Sequence, residues 1–443
     1  MKILFLDIYK KSNARISKDT AGGYGTENDF GIGIIPFILT RIVKFGLFWP
    51  NLMFVQLFHD FKKNKFDVSF LRIHSDQNIN IAEYDIIFVC NSIVCFETEI
   101  NFINNIESNK QVILCGDFFI HSGYILKKNH CVISGNYDYL LSHLKKNSIQ
   151  LTDLFREKFI HISPDSNWYL EPPDWFREFN KYTKNWLFGY RRYIPFISTR
   201  GCPYSCFEYC TYPLSQGRGV FHTEIKQIIN SLIIISKKDN NAHIVFRDPV
   251  FSINKHFTKE LLNSIVESKL KLSYTVELHL KNLDDDMISL MKHANVKVVK
   301  FGIESSNESI RSSVNRYSVS NDIQLLNIQK LKKVKIKTVA MYILCQPDDT
   351  YETINQTIDY SIKLNTDFAQ FSIFTPYPGT PFYNKNTQLI DEKFFENFNQ
   401  YQLVFKHKIF DKNSAKKILG RAYTKFYLRK FFKIFKINEY FIN

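Results

Sequence analysis

Three cysteines fall within nine residues, in the segment Ser198-Thr199-Arg200-Gly201-Cys202-Pro203-Tyr204-Ser205-Cys206-Phe207-Glu208-Tyr209-Cys210-Thr211-Tyr212-Pro213. Three thiolates on one short loop can converge on a soft metal centre. Gly201 and Pro203 suit the turn that would fold the loop around it. A structural zinc wants four closed ligands. A 4Fe-4S cluster held by three cysteines leaves one iron open, and that iron can chelate a substrate or cosubstrate, as a catalytic zinc does at its free position. Two other readings compete. A zinc module could recruit His222 in a C-x3-C-x3-C-x11-H pattern, or the clustering of structural thiols could be chance. A cluster that only passes electrons would want a fourth cysteine nearby, and the sequence has none there. Cys90, Cys95, Cys115, Cys131 and Cys345 are scattered, four of them in or beside apolar runs, and read as buried thiols. Eight cysteines in 443 residues do not look like a disulfide framework.

The loop must be held by the elements around it. From Ile194 strand and helix signals alternate. Strands are expected at 196–199, 242–246, 272–276, 297–301, 337–342 and 368–374. Helices are expected between them at 223–236, 255–268, 284–293, 320–332 and 350–364. This pattern suggests a partial (β/α)6 TIM barrel over 193–385, with function at the carboxyl ends of its strands. An open doubly wound sheet would give the same one-dimensional pattern. Residues 1–150 alternate as well, with strands at 2–6, 66–71, 85–90, 111–115 and 131–134 and helices at 52–61 and 97–106. Short apolar runs between amphipathic helices imply a parallel sheet covered on both faces, a Rossmann-like or flavodoxin-like domain. The fold class is therefore α/β. Residues 151–192 hold Pro164, Pro172, Pro173, Trp168, Trp175 and Trp186 and read as an irregular aromatic connector. A helical extension, 386–443, completes the chain.

Composition excludes several classes. The chain is 45% apolar and 23% charged, which rules out a disordered, collagen-like or polytopic membrane protein. The net charge of +15 reads as solvated surface in a Lys-rich composition, since no Arg-rich stripe or nucleic-acid motif accompanies it; no nucleic-acid partner is expected. The apolar segment 34–55 is interrupted by Pro36, Arg41, Lys44 and Pro50 and falls short of a membrane span. Asp7 arrives too soon for a secretory signal, so the expected address is cytoplasmic. Residues 412–436 carry nine Lys or Arg and no acid, with Phe426, Tyr427, Leu428, Phe431, Phe432 and Phe435 among them. That tail reads either as a closing helix that packs its aromatics and snorkels its cations, the favoured reading, or as a basic amphipathic helix on a membrane surface.

Arg-Gly-Cys-Pro-Tyr-x-Cys at a first barrel strand resembles the radical S-adenosylmethionine (SAM) enzymes, in particular the group with an N-terminal cobalamin-binding domain. Their usual spacing is C-x3-C-x2-C; this chain has one more residue before the third cysteine. The resemblance implies a 4Fe-4S cluster on Cys202, Cys206 and Cys210 and reductive cleavage of SAM to a 5′-deoxyadenosyl radical. It sets Tyr209 against the adenine. Phe246-Arg247-Asp248-Pro249-Val250-Phe251 resembles the segment at the end of strand two whose backbone meets the SAM amino group, which makes Asp248 a SAM residue. Phe301-Gly302-Ile303-Glu304-Ser305 resembles the fourth-strand segment, whose polar residues, here Glu304 and Ser305, approach the SAM ribose and carboxylate. Cys345 in Tyr342-Ile343-Leu344-Cys345-Gln346-Pro347 stands where the family usually has Gly, 375–381 resembles the sixth-strand end, and 423–429 the closing helix.

The N-terminal domain decides between outcomes. In relatives a corrinoid often relays a methyl group to an unactivated carbon, so a cobalamin-dependent methyltransferase is the first reading and a cobalamin-independent rearrangement or oxidoreduction the second. A non-catalytic zinc-stabilised binding protein is the reading from another class. The cobalt-ligating motif D-x-H-x-x-G is absent; instead Gly22, Gly23 and Gly25, followed by Gly31 and Gly33, mark tight turns or close approach to a corrinoid. Cys115-Gly116-Asp117 and Ser134-Gly135-Asn136 stand where relatives have Gly-Gly and Gly-Glu. His59, His74 and His121 read as structural or surface residues. The expected partners are a small-molecule or lipid-like substrate and an electron donor such as flavodoxin or ferredoxin. No catalytic acid or base is identifiable.

Overall fold

A computed structural model describes residues 1–46, 51–163, 184–185, 191–204 and 206–439. The tryptophans and prolines of the expected connector lie outside the described residues. Two parallel sheets dominate. In the first, β1 (Lys2–Tyr9), β2 (Asp67–His74), β3 (Ile86–Cys90), β4 (Gln111–Cys115), β5 (His130–Gly135) and β6 (Phe159–Ile162) lie in the order β2-β1-β3-β4-β5-β6. The central strands β1, β3, β4 and β5 are buried on both faces, as parallel strands under helices must be, while the edge strands β2 and β6 are only partly buried. The sheet runs past residue 150: β6, within the stretch expected to be an irregular connector, pairs with β5.

The second sheet holds β7 (Arg191–Phe196), β8 (His243–Phe246), β9 (Ser273–Glu277), β10 (Val296–Glu304), β11 (Lys337–Leu344) and β12 (Phe368–Ile373) in sequential order. All six pair in parallel, and Lys184–Asn185 adds an antiparallel edge beside β7. This is the expected half-barrel. One helix starts at Lys255 as expected; three others start one residue later, at Asp285, Asn321 and Tyr351, because Asp284, Ser320 and Thr350 are the capping residues themselves. Their side chains accept from the backbone N–H groups of Met287, Ile323 and Thr353. The closing helix Lys412–Glu439 packs Tyr423 and Phe426 on β12. The Tyr423 hydroxyl donates to the Phe371 carbonyl at 2.9 Å, and that of Tyr427 to the Ala369 carbonyl at 3.0 Å.

In the first sheet the chain leaves β1 for β2 on one side and reaches β3 on the other. The carboxyl ends of β1 and β3 therefore flank the crevice in which open α/β sheets hold ligands. Lys18 occupies it. Its ammonium donates to the Cys90 carbonyl at 2.8 Å and pairs with Asp7 at 3.1 Å and Glu99 at 2.9 Å, while Arg72 pairs with Asp7 from β2. All of these side chains are buried. Two cations and two carboxylates satisfy each other, which is the condition for charge to persist in an interior.

Asp117, just after β4, has a different balance. Its carboxylate accepts from Gly135 N–H at 2.7 Å, but burial pushes its pKa to about 7. The native state thus binds a proton that the unfolded chain releases near pH 4, and stability falls as pH rises from there to about 7. Asp117→Asn keeps the acceptor and removes the charge. We expect it to raise thermal stability at pH 8, by up to about 4 kcal/mol, and to change little at pH 4. Melting curves at the two pH values check this.

Candidate active site

The strand β7 delivers the chain into the cysteine loop. Thr199–Arg200 then pairs antiparallel with Phe221–His222, so the loop leaves and returns along one ribbon. Asp248, at the end of β8, fastens the start: its carboxylate accepts from Ser198 N–H at 2.7 Å and Ser198 O–H at 2.5 Å. Its pKa is pushed to about 6 by burial. The loop's return is tied by Cys202 N–H to the Gly217 carbonyl, 3.1 Å, and Gly201 N–H to Gln216 Oε1, 3.2 Å. Gly201 has φ +82°, and a Cβ there would fall 1.6 Å from the Gly219 carbonyl oxygen. Gly217 has a similar φ, +79°, with open space around it. Gly217, at ψ 176°, lies in a region that essentially only Gly occupies, so Gly217→Ala is expected to cost only backbone strain, about 1–3 kcal/mol. Gly201→Ala must displace the loop and empty the chain of iron. Iron content of the two anaerobically purified variants separates the clash from the strain.

The three thiols interact. The Cys210 S–H donates to Cys206 Sγ, and the Arg316 guanidinium donates to the same sulfur at 3.6 Å. The hydrogen bond first, then the cation, bring the Cys206 pKa down to about 6, and the Cys210 thiol is correspondingly raised. Cys202 is buried beside them, its thiol raised by that burial. One thiolate is thus already stabilised at neutral pH. Among the described residues no three His, Cys, Asp or Glu side chains close on a point that would hold a single metal ion. A four-iron cube sets its thiolates on separate irons and needs no such point. His222, the zinc alternative's fourth ligand, is engaged elsewhere: its Nδ1 lies 3.1 Å from the Thr199 hydroxyl and its ring stacks on Phe257 at 4.1 Å. The donor set fits an iron–sulfur cube: three soft sulfurs on one loop, a guanidinium beside them, and a wall that keeps them from open solvent.

Arg316 is the residue that sequence reasoning missed. It follows the β10 unit by about a turn of helix, with no spacing that ties it to the cysteines. It pairs with Glu304 at 3.3 Å and donates to the Gly302 carbonyl at 3.3 Å, so it links the end of β10 to Cys206. Glu304 has φ +65°, and burial pushes its carboxyl to about 7 despite the cation. The Tyr209 ring leans on Phe374 at the end of β12, centroids 5.8 Å apart, and shares the surroundings of Glu304, Arg316 and Cys206. The structure therefore gathers Cys202, Cys206, Cys210, Tyr209 and Glu304. It turns two other expected residues inward. The Asp248 side chain is engaged with Ser198, and the Ser305 hydroxyl sits 3.1 Å from the Thr357 hydroxyl and accepts from Asn307 N–H. Asp248 is spent on Ser198 at the start of the loop and Ser305 on the turn after β10; neither has a hydrogen bond to the three cysteines or Tyr209 among the described residues. Cys345 is buried at φ +57°, which is why glycine suits that position.

The glycine turn of the first domain meets this loop. The Thr211 hydroxyl, one residue past the third cysteine, donates to the Ala21 carbonyl at 2.6 Å. Gly22 has φ +59°, and a Cβ there would sit 2.9 Å from the Ser215 hydroxyl. Tyr24 O–H donates to the Pro378 carbonyl at 3.0 Å, and Tyr377 O–H to that of Gly25 at 3.3 Å. The turn is thus clasped between the cysteine loop and the segment after β12. A cleft of about 710 Å³ opens elsewhere, beyond β1 and β2, between Tyr9, Lys10, Lys11, Arg15, Arg72 and His74. Three of its cations are paired, Lys10 with Glu27 and Glu396, Lys11 with Asp76 and Arg72 with Asp7, and none of the cysteines lines it.

Comparison with known proteins agrees with this geometry. Residues 196–361 match the family model described as "Radical SAM superfamily". An uncharacterized methyltransferase of Pyrococcus horikoshii is 28% identical over 241 residues, 53% of this chain and 52% of that protein, so the match spans about half its length. The bacteriochlorophyllide d C-12(1)-methyltransferase of Chlorobaculum tepidum is 23% identical over 77% of this chain and 75% of its own. Among solved structures, the radical SAM methyltransferase TsrM of Kitasatospora setae superposes with a TM-score of 0.59 at 12% identity, over 88% of this chain and 76% of that one. The cobalamin-dependent radical SAM enzyme OxsB gives 0.66 at 12% identity, over 95% and 66%. The family match opens at Phe196, the residue that leads β7 into the three-cysteine loop, and it is residues 196–361, the half-barrel and its loop, that match the radical SAM superfamily.

Proposed function

We propose that this protein is a cobalamin-dependent radical SAM methyltransferase acting on a small-molecule or lipid-like substrate. The observation that carries the corrinoid half of the reading is the clasp between the Ala21–Gly25 turn and the Cys210–Ser215 segment, which sets a glycine surface of the first domain against the cysteine loop. Gly22, Gly23 and Gly25 would hold the corrinoid, and Gly23 has open space where a side chain would stand. Cys202, Cys206 and Cys210 would hold the 4Fe-4S cluster, and Tyr209 and Glu304 would face SAM. When bound, the cluster supplies the electron that cleaves SAM to a 5′-deoxyadenosyl radical, and the corrinoid supplies a methyl group in transit.

The chain's own residues supply orientation and shelter. Arg316 fixes the Glu304 carboxylate and the Cys206 sulfur relative to each other. Glu304, with a pKa of about 7, can hold a proton or release it near neutrality. The His279 ring tilts against Tyr204 and stacks on Tyr317, with the Lys281 ammonium 4.3 Å and 4.9 Å from the two tyrosine rings, which holds Tyr204 of the cysteine loop in place. The electron donor is a flavodoxin or ferredoxin, and the protein works in the cytoplasm. Among the described residues no helix is long and apolar enough to cross a membrane.

Anaerobic purification followed by reconstitution with hydroxocobalamin tests the proposal. About four irons and four sulfides per chain, corrinoid retained through desalting, and release of 5′-deoxyadenosine or S-adenosylhomocysteine from SAM under reduction are expected. Iron and 5′-deoxyadenosine without corrinoid retention would instead favour the cobalamin-independent reading. One zinc and no iron would end both.

A further inference from the structure

The helix Ile34–Gly46 sorts its side chains onto two faces. Pro36, Thr40 and Gly46 are buried, and Leu39 and Val43 pack on the core. On the other face stand Ile34, 81% exposed, Phe37, 59%, and Phe45, 66%, with Ile38 and Ile42 between them. At 3.6 residues per turn these five cover one arc of about 140° along a helix of about 20 Å. Exposed Ile32 extends the patch from the turn before it. A helix on a water-soluble surface carries its apolar stripe inward; here a second stripe faces out.

The charge on the patch's own helix has one sign. The helix contains Arg41 and Lys44 and no acid. The Arg41 guanidinium lies 5.3 Å from the centroid of the Phe37 ring, within the outward arc itself. The helix packs against the closing helix, where Ile32 N–H reaches the Lys416 carbonyl at 3.4 Å and the Lys416 ammonium pairs with Asp29. That closing helix has nine Lys or Arg and no acid from 412 to 436. A second copy of the chain is a poor cover for such a face. A twofold interface would bring Arg41 against Arg41 and join two chains of net charge +15. A sheet of anionic headgroups over an acyl layer offers what the patch lacks, an apolar medium for the five side chains and counter-charge for the cations.

We propose that the outward face of Ile34–Gly46 lies in the surface of an anionic lipid bilayer and holds the enzyme there as a peripheral protein. This reading stands apart from the reaction, because the helix touches none of the cysteine-loop residues.

Cosedimentation of the full, anaerobically purified chain with lipid vesicles tests it. The chain is expected to pellet with vesicles of mixed phosphatidylglycerol and phosphatidylcholine, to stay in solution with phosphatidylcholine alone, and to release as salt is raised. Replacing Phe37 and Phe45 together by Ser should weaken binding at least about tenfold, with iron content and melting temperature kept. Arg41→Glu should weaken it too. Failure of the wild-type chain to pellet with the anionic vesicles overturns the proposal, as does equal binding by the Phe37→Ser, Phe45→Ser double variant. So does a wild-type mass in solution that is twice that of the double variant, since a second copy would then own the face.

Discussion

Alanine at Cys202, Cys206 or Cys210, one at a time, is expected to reduce bound iron and sulfide from about four each per chain to near zero. Each thiolate would anchor a different iron, so two could not hold what three would. Cys345→Ala should leave the cluster untouched. That thiol is buried in the barrel's apolar core, its pKa pushed well up by burial, and the charged group beside it is Asp349 rather than a cysteine of the loop. The melting temperature of each variant without iron controls for misfolding. A loop variant that kept its full iron would end the ligand assignment, and so would a Cys345→Ala protein without iron. Arg316→Met adds a finer expectation. With the guanidinium gone, the Cys206 thiol moves back towards its ordinary range near 9, so less of it is thiolate at neutral pH. Cluster assembly should then be slower at pH 7 and recover at pH 9, whereas a purely structural loss would not recover with pH.

Much of this was legible in the sequence because parallel strands under helices are near-continuous apolar runs, and such runs survive in one dimension. Every expected barrel strand lies within a few residues of an observed one. The errors fall where charge enters a strand. β1 was expected to end at Leu6, yet it continues through Asp7 to Tyr9, because Arg72 opposite and Lys18 above neutralise that carboxylate. β10 was expected to end at Phe301 but runs to Glu304 across a register irregularity, with Arg316 as the partner that makes the buried acid tolerable. β6 escaped notice because an edge strand needs only one buried face, and Ile160 and Ile162 alternate with exposed Phe159 and His161. The helix Ile34–Gly46 was masked by Pro36, which is harmless in a first turn. The cysteine loop was legible because its chemistry is local. Its supports were not, since Asp248, Arg316 and Asp138 reach their partners across 50, 110 and 62 residues, and such pairings leave no spacing to read.

Arg200 is the support on which the largest loss of stability should fall. It lies two residues before Cys202, wholly buried, and it points out of the barrel into the first domain. There its guanidinium donates to both oxygens of Asp138, to Oδ1 at 2.8 Å, and to Asn136 Oδ1 at 2.5 Å, while the Tyr139 ring lies 5.6 Å away. Asp138 and Asn136 follow β5, so a single side chain ties the entry of the cysteine loop to the carboxyl end of the first sheet. Arg200→Met would leave a carboxylate buried without its cation, a change that costs about 3–5 kcal/mol. Arg200→Lys should recover only part of that, because an ammonium cannot match the bidentate geometry. The double variant Arg200→Met, Asp138→Leu removes both charges and should regain most of the stability lost by the single change. Stability and function then separate: the double variant, though stable, no longer locks the loop to the first domain. We expect it to bind iron and yet to retain corrinoid poorly, since the Ala21–Gly25 turn and the cysteine loop would lose the tie that fixes their spacing. A double variant that melted as low as Arg200→Met would mean that the hydrogen bond to Asn136, rather than the ion pair, carries the joint.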